Sequence, residues 1–544
     1  MTQPPNAGIE HALWFPFSRA QNGVMPEFNY IVVGAGSAGC VLASRLSEDP
    51  NVTVALVEAG GPDTAQEVHI PVAFGALFKG PMDWDLDSEP EPGLGGQRCY
   101  LPRGKMFGGS SSMNAMIYIR GHRADYDDWA SAGATGWGYD EVLPYFKRSE
   151  DNQRGGDDYH GTGGPLTVSD GRSNHSLCAA FVEAGEAAGH KRIEDFNGET
   201  MDGVGFYQLT QRDGMRCSSA VAFLHPALSR PNLTVFPHST AVKVAIEDSR
   251  ATGVWIRRAG QEDELLRATG EVIVSAGAYE SPKLLMLSGI GPADVLPLFA
   301  IDVVQDLPVG QGLQDHLMTM INYLTDVESL FGAMTPENVD LLLNEHRGPL
   351  TSNVGEVGGF FRTRDGLAAP DVQLHMAPVL FYEQGLGAVQ THGFGIGPCV
   401  LKPTSRGYVT LRTPDPQSAP RIRHNYLDTE QDRATIVAAV RIAMEIAAQR
   451  PLTDVITRPF DVPDISSDAE VAAYVRRSSM TLYHPTSTCA IGSVVDPALK
   501  VYGVDGLRVV DASVMPSVVR GNTNAPTIMI AERASDLIKA DARS

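Results

Sequence analysis

Short unbroken apolar runs and helical periodicity alternate at the start of this chain. Tyr30 to Val33 and Val52 to Val57 read as buried parallel strands, and between them Ala43 and Leu46 recur at the spacing of one helical face. Leu233 to Phe236, Glu271 to Ser275 and Leu507 to Val510 read as further strands. Ser281-Pro282 predicts a helix cap with proline in the first turn, and Gly289 predicts a stop after Lys283 to Ser288. A last helix is predicted from near Pro526 to near Ala540. Residues 161–211 and 316–489 carry alternating strand-like runs instead, such as Val372 to Met376 and Gly407 to Leu411.

Glycines at the end of the first run turn this pattern into a candidate site. Gly34, Gly36 and Gly39, with Ser37 and Ala38 between them, place G-x-G-x-x-G between a strand and a helix. Gly34 permits a tight turn, Gly36 lets a pyrophosphate approach the backbone, and Gly39 lets the helix pack closely on the sheet. The helix N-terminus offers free N–H groups to phosphates, and Glu58 ends the second strand where a carboxylate can bind ribose hydroxyls. These residues alone allow NAD or FAD.

The fold class predicted is α/β. A Rossmann-like cofactor domain (residues 28–160, 212–315 and 490–544) is interleaved with a second, α+β domain (161–211 and 316–489). That second domain is expected to be built on a mainly antiparallel sheet and to cover the cofactor. Residues 1–27 are read as an arm that packs on the surface.

With 544 residues the chain exceeds a single core. Its net charge of −22 disfavours nucleic acid and anionic membranes as partners. Cys40, Cys99, Cys178, Cys217, Cys399 and Cys489 form no C-x-x-C pair, which argues against zinc and against a disulfide scaffold and favours a reducing, cytoplasmic setting. The apolar patch Ala12 to Phe17 is preceded by Glu10 and His11 and broken by Pro16, so it matches neither a secretory signal nor a membrane span.

Three further stretches carry a family resemblance. LPRGKMFGGSSSMNAMIYIRGHRADYDDWA (Leu101 to Ala130), SAGAYESPKLLMLSGIG (Ser275 to Gly291) and the C-terminal YHPTSTCAIG with VVDASVMPSVVRGNTNAPTIMIAERASDLI together resemble the glucose-methanol-choline (GMC) oxidoreductases, in order, from about Phe28 to Ile538. PRGK-x-x-GGSSS, YIRGH and the GPLTSN run at Gly348 to Asn353 are most similar to the bacterial choline dehydrogenase and alcohol dehydrogenase branch. The resemblance implies FAD rather than NAD. It implies cofactor contacts from Ala59, Arg103, Gly104, Gly108, Gly109, Ser110, Asn114, Ala115, Met116, Gly277, Asp511, Ala512, Asn524 and Thr527, from the backbone of Val242, and from Trp84 near a lid. In the loop from Arg103 to Ala115 glycines let backbone N–H groups reach a flat ring, and Asn114 can bond its polar edge. Met113 stands where covalent members place a flavin-linking histidine, so the FAD implied is noncovalent. The N-terminus of the last helix can face the flavin pyrimidine ring, where negative charge develops on reduction.

His484 and Asn522 match the family's active-site pair. The implied reaction is oxidation of a primary alcohol to an aldehyde, with His484 as proton acceptor, Asn522 bonded to the alcohol oxygen and hydride passing to flavin N5. Electrons would go on to oxygen or to a quinone-type acceptor. A lyase or photodecarboxylase on the same fold, or a flavin-binding protein without turnover, are the alternatives. Glu356 can face the substrate cavity, where a carboxylate would suit a cationic alcohol such as choline. Phe360, Phe361, Phe381 and Tyr382 can line an apolar pocket.

Overall fold

Residues 27–543 are described by the computed structural model. The predicted arm therefore lies, except for Glu27, outside the described residues. Leu233–Phe236, Val54–Val57, Glu27–Val33 and Glu264–Val274 lie side by side in that order, all parallel. Ile31, Val32, Ala55, Leu56, Val272 and Val274 are wholly buried. Such continuous apolar strands suit a parallel sheet covered on both faces, and each large side chain contributes about 1.5–3 kcal/mol by its burial.

The eleven-residue strand Glu264–Val274 serves two partners beyond Glu27–Val33. Its first half pairs antiparallel with Arg250–Arg257, which continues the sheet to Thr240–Glu247, and its end pairs parallel with Leu507–Val509. This last pairing brings the C-terminal part of the chain to the N-terminal strand. The helix Ser37–Leu46 then packs against the final helix, Asn524–Asp541.

A second, antiparallel sheet runs Val357–Phe361, Val372–Ala377, Gly393–Val400, Leu317–Thr319, Ser479–Thr481, with Ile321–Leu324 and Arg458–Asp461 attached to one side. The helix Glu430–Ala447 covers one face, where Leu374, Met376, Ile396 and Val400 share a core with Ile436, Ala439 and Val440. The two-residue period of a strand sends Gln373, His375 and Ala377 to the other face. Leu166 and Val168 lie in the core of the first sheet, whereas Leu177, Phe181 and Val182 of the helix Ser176–Ala187 lie in that of the second.

Several predicted boundaries move. Val52 belongs to the turn before Val54–Val57, and Glu271 to Val274 is the end of a longer strand. The helix expected to start at Ser281-Pro282 is Gly277–Leu287, with Pro282 inside it. Proline cannot donate to the carbonyl four residues back, that of Ala278, and the Thr488 hydroxyl donates to it instead at 2.7 Å. Gly277 has φ +84°, which lets the chain turn from strand into helix so early. All six cysteines are buried and unpaired. Among the described residues no helix is long and apolar enough to cross a membrane.

Candidate active site

A large cavity lies between the two sheets. Glu58, Ala59, Thr240 and Ala241 line it on the side of the parallel sheet, and His375, Ala377, Met318 and Met320 line it on the side of the antiparallel sheet. Gly34, Gly36, Ser37 and Ala38 form part of its wall, together with Trp84, Arg103, Gly104, Gly109, Ser110, Asn114, Ala115, Met116, Gly277, Asp511, Ala512, Asn522, Asn524 and Thr527. Gly39, Gly108 and Val242 do not line it. Gly39 packs the helix on the turn, since a Cβ there would lie 1.8 Å from the Gly34 carbonyl oxygen. The Gly108 N–H donates to the Ala35 carbonyl at 2.7 Å, and Val242 lies one residue past the lining segment Ser239–Ala241.

The end of the cavity beside the parallel sheet is braced by side chains of that sheet's own turns and helices. Glu58 accepts the N–H groups of Ala35 and Gly60, each at 2.8 Å, and burial raises its pKa to about 6. Asp511 accepts the Gly277 N–H (2.9 Å), the Ser281 hydroxyl (2.5 Å) and the Ser513 N–H (2.8 Å). Ser37 donates to Asn524 Oδ1 at 2.8 Å, which ties together the N-termini of two helices at the cavity wall. The Lys105 ammonium sits 4.7 Å from the centre of the Trp84 ring.

In the central loop the Asn114 carbonyl oxygen accepts from the Met116 N–H (3.0 Å) and from Arg216 Nη1 (2.8 Å). That fixes the amide orientation and leaves its NH2 for the cavity. Arg216 was not foreseen. It is 2 % exposed, donates to the carbonyls of Val68 and Ser111, has no carboxylate partner among the described residues, and burial lowers its pKa to about 9. Met113 lines the cavity while packing against Val68, Leu77 and Met106.

Two adjacent antiparallel strands create the reactive end. Leu317 pairs with Thr481, so His316 and His484, far apart in sequence, flank the same edge. The carboxylate of Asp315 anchors the turn by accepting the His484 N–H at 2.6 Å and the Tyr426 and Thr481 hydroxyls at 2.5 Å each. His316 Nε2 lies 2.9 Å from the Leu401 carbonyl, an obligatory acceptor, so it carries a proton. Burial lowers the His316 pKa to about 4, so the ring is neutral and its Nδ1 is an acceptor. His484 Nδ1 lies 2.9 Å from it and must donate. The proton of His484 is thereby placed on Nδ1, and its Nε2 keeps a lone pair toward Asn522 and the cavity.

Asn522 completes this arrangement. Its Nδ2 lies 3.3 Å from His484 Nε2, and its Oδ1 accepts from Gln373 Nε2, also at 3.3 Å. Burial, followed by His316, His375 and Arg103, holds the His484 pKa well below the ordinary imidazole value. Burial also takes His375 down to about 3, and neither of its ring nitrogens has a hydrogen-bond partner among the described residues. The site can therefore take a proton at His484 Nε2, with an amide donor beside it.

Some expected substrate contacts are elsewhere. Glu356 does not line the cavity: it accepts the Ser352 hydroxyl behind the wall, and burial raises its pKa. The residue follows a tight segment whose Val354 and Gly355 take the lining positions, so the register of that loop turns it away. Phe360 and Phe361 are buried in two separate cores, and Tyr382 packs on Phe460. Of the four aromatics only Phe381 lines the cavity, joined there by Phe74 and Phe78. Polar Gln373 and His375 inside the apolar run from Val372 to Met376 were a legible signal of a strand face turned to a site.

The N-terminal pattern of the GMC oxidoreductases matches residues 28–318 and the C-terminal pattern residues 403–531. An alcohol dehydrogenase (acceptor) of Pseudomonas putida is 43% identical over 526 residues, covering 94% of this chain and 95% of that one. Pyridoxine 4-oxidase from Mesorbium loti superposes with a TM-score of 0.86 at 33% identity, covering 94% of this chain and 98% of the other. An FAD-dependent oxidoreductase from Chaetomium thermophilum superposes with a TM-score of 0.86 at 26% identity, covering 95% and 100%. With both patterns matched in order across the two sheets and the cavity between them, the chain belongs to the GMC oxidoreductases.

Proposed function

We propose that this protein is an FAD-dependent enzyme that oxidises a primary alcohol to an aldehyde. The observation that carries the reading is the unprotonated Nε2 of a neutral His484, 3.3 Å from the Asn522 amide, in the cavity between the two sheets.

The residues present fit FAD. Gly36 and Gly277 line the cavity, yet a Cβ on Gly36 would come no nearer than 4.0 Å to protein and one on Gly277 would meet nothing within 4 Å. Their missing side chains leave room for a ligand rather than for protein. The Ser37–Leu46 helix start would hold the pyrophosphate and Glu58 the ribose. Asn114 and the N-terminus of Asn524–Asp541 would hold the ring system, with Met113 beside it making no covalent bond. When bound, FAD supplies the acceptor for the hydride.

The chain's own residues do the rest. An alcohol entering from the antiparallel side can pass its hydroxyl proton to His484 Nε2, and Asn522 Nδ2 donates to the same oxygen. Removing that proton as the carbinol hydrogen leaves as hydride avoids building positive charge on the carbon. His484 Nδ1–H stays on His316, so the accepted proton is the only change at the ring. Electrons then pass to oxygen or a quinone-type acceptor. The six buried thiols support a reducing, cytoplasmic setting.

Anaerobic mixing of the FAD-loaded protein with a panel of primary alcohols tests this. Bleaching of the flavin with aldehyde release is expected, and running oxygen and an artificial quinone in parallel identifies the acceptor. Aldehyde without bleaching would replace the assignment with a lyase.

A further inference from the structure

Resting on the alcohol-oxidation reading, we propose that the substrate is an uncharged alkyl or aryl alcohol, and that the pocket discriminates against ammonium alcohols such as choline. The walls next to His484 are apolar. Met318, Met320 and Leu482 belong to one buried cluster with Phe381 packed against it, and Phe78 and Ala377 continue the surface. The polar side chains beside it, the neutral imidazole of His375, the Tyr483 phenol and the Asn522 amide, carry no negative charge.

Charge is placed the wrong way for a cation. The carboxylates lining the cavity are Glu58, Glu280 and Asp511. Glu58 and Asp511 are engaged in the turns of the parallel sheet, and Glu280 pairs with Lys283 at 2.8 Å on a helix packed against Thr240–Glu247. Asp315, behind the reactive end, is saturated by three donors and does not line the cavity, and neither does Glu356. The ion that does line it and acts on His484 is Arg103, which is positive. An ammonium group here would be desolvated beside a like charge with no facing carboxylate among the described residues, and the faces of Phe78 and Phe381 offer less than that costs. A neutral chain would instead replace water against thioethers and rings, whose flexible Met side chains adapt to different shapes.

The test compares choline with its carbon isostere, 3,3-dimethylbutan-1-ol, on the FAD-loaded enzyme. The isostere is expected to show a kcat/KM higher by about a hundredfold. Equal or better use of choline would overturn the proposal. A second arm measures binding of two compounds that cannot be oxidised, tert-pentanol and tetramethylammonium, by perturbation of the flavin absorbance. Tighter binding of tert-pentanol supports the proposal even if neither alcohol bleaches the flavin, an outcome that would remove the oxidation reading alone. Tighter binding of tetramethylammonium overturns the proposal whatever the turnover.

Discussion

His316 and His484 face each other Nδ1 to Nδ1 at 2.9 Å, with their ring planes 89° apart. Because the other nitrogen of His316 is committed to the Leu401 carbonyl, this contact sets which nitrogen of His484 is free. With His484 as the proposed base, His316 is its positioning residue. His316→Leu is expected to lower kcat by about a hundredfold with KM nearly unchanged, because the His484 ring loses its fixed tautomer. An unchanged kcat, or a loss confined to KM, would show that the contact is only structural.

His484→Ala is expected to keep bound FAD and lose about a hundred- to ten-thousandfold in alcohol oxidation. In the unaltered enzyme burial depresses the His484 pKa, so the neutral, proton-accepting form persists as pH falls below the usual imidazole range. The acid limb of kcat/KM should therefore lie well below pH 6.5. A limb at the ordinary imidazole value would assign the base to another group.

Arg216 holds Asn114 while carrying a buried charge that no carboxylate matches. Arg216→Met is expected to weaken FAD binding to the apoprotein by about tenfold, the loss of one charge-assisted contact behind the ring-binding loop. Fluorescence titration of the apoprotein measures it, and unchanged affinity would contradict the role.

His160 lies between Glu150 Oε1 (3.0 Å) and Asp195 Oδ2 (2.9 Å), in a buried network that also contains Arg120 and Asn152. Although burial acts to lower it, the two carboxylates raise its pKa from 6.5 to about 9. A raised folded-state pKa means stability that is complete below about pH 6.5 and is lost as pH climbs through about 9. Thermal unfolding midpoints should fall across that window, and the fall should be shallower in His160→Gln. Parallel curves for the two proteins would show that His160 does not carry the dependence.

Met113 cannot form the link a histidine would, so acid precipitation should leave a colourless pellet and free FAD in the supernatant. Yellow protein after denaturation would mean a covalent bond formed elsewhere.

Much of the fold was legible because its signals are local. The run Tyr30 to Val33, the three glycines and Glu58 lie within one βαβ unit, and the parallel sheet contains all of the strands read from the sequence around it. Pro282 misled because a proline inside a helix removes a backbone bond, and Thr488, which donates to the orphaned carbonyl, is not detectable from the neighbourhood of Ala278. Glu356 misled for a similar reason: one turn of a loop decides whether a side chain enters the cavity or is buried behind it.

Sequence alone determined that a dinucleotide fingerprint opens the chain and that His484 and Asn522 sit in motifs shared with an oxidoreductase family, since both are short-range patterns of residue type. Tertiary structure alone decided that His484 offers Nε2 rather than Nδ1, because that depends on His316 and the Leu401 carbonyl arriving from distant segments. It also decided that Met318, Met320 and Phe381, and not Glu356, face the reactive end. Which face a strand residue presents is set by pairing and register, and those are fixed by partners far away in the chain.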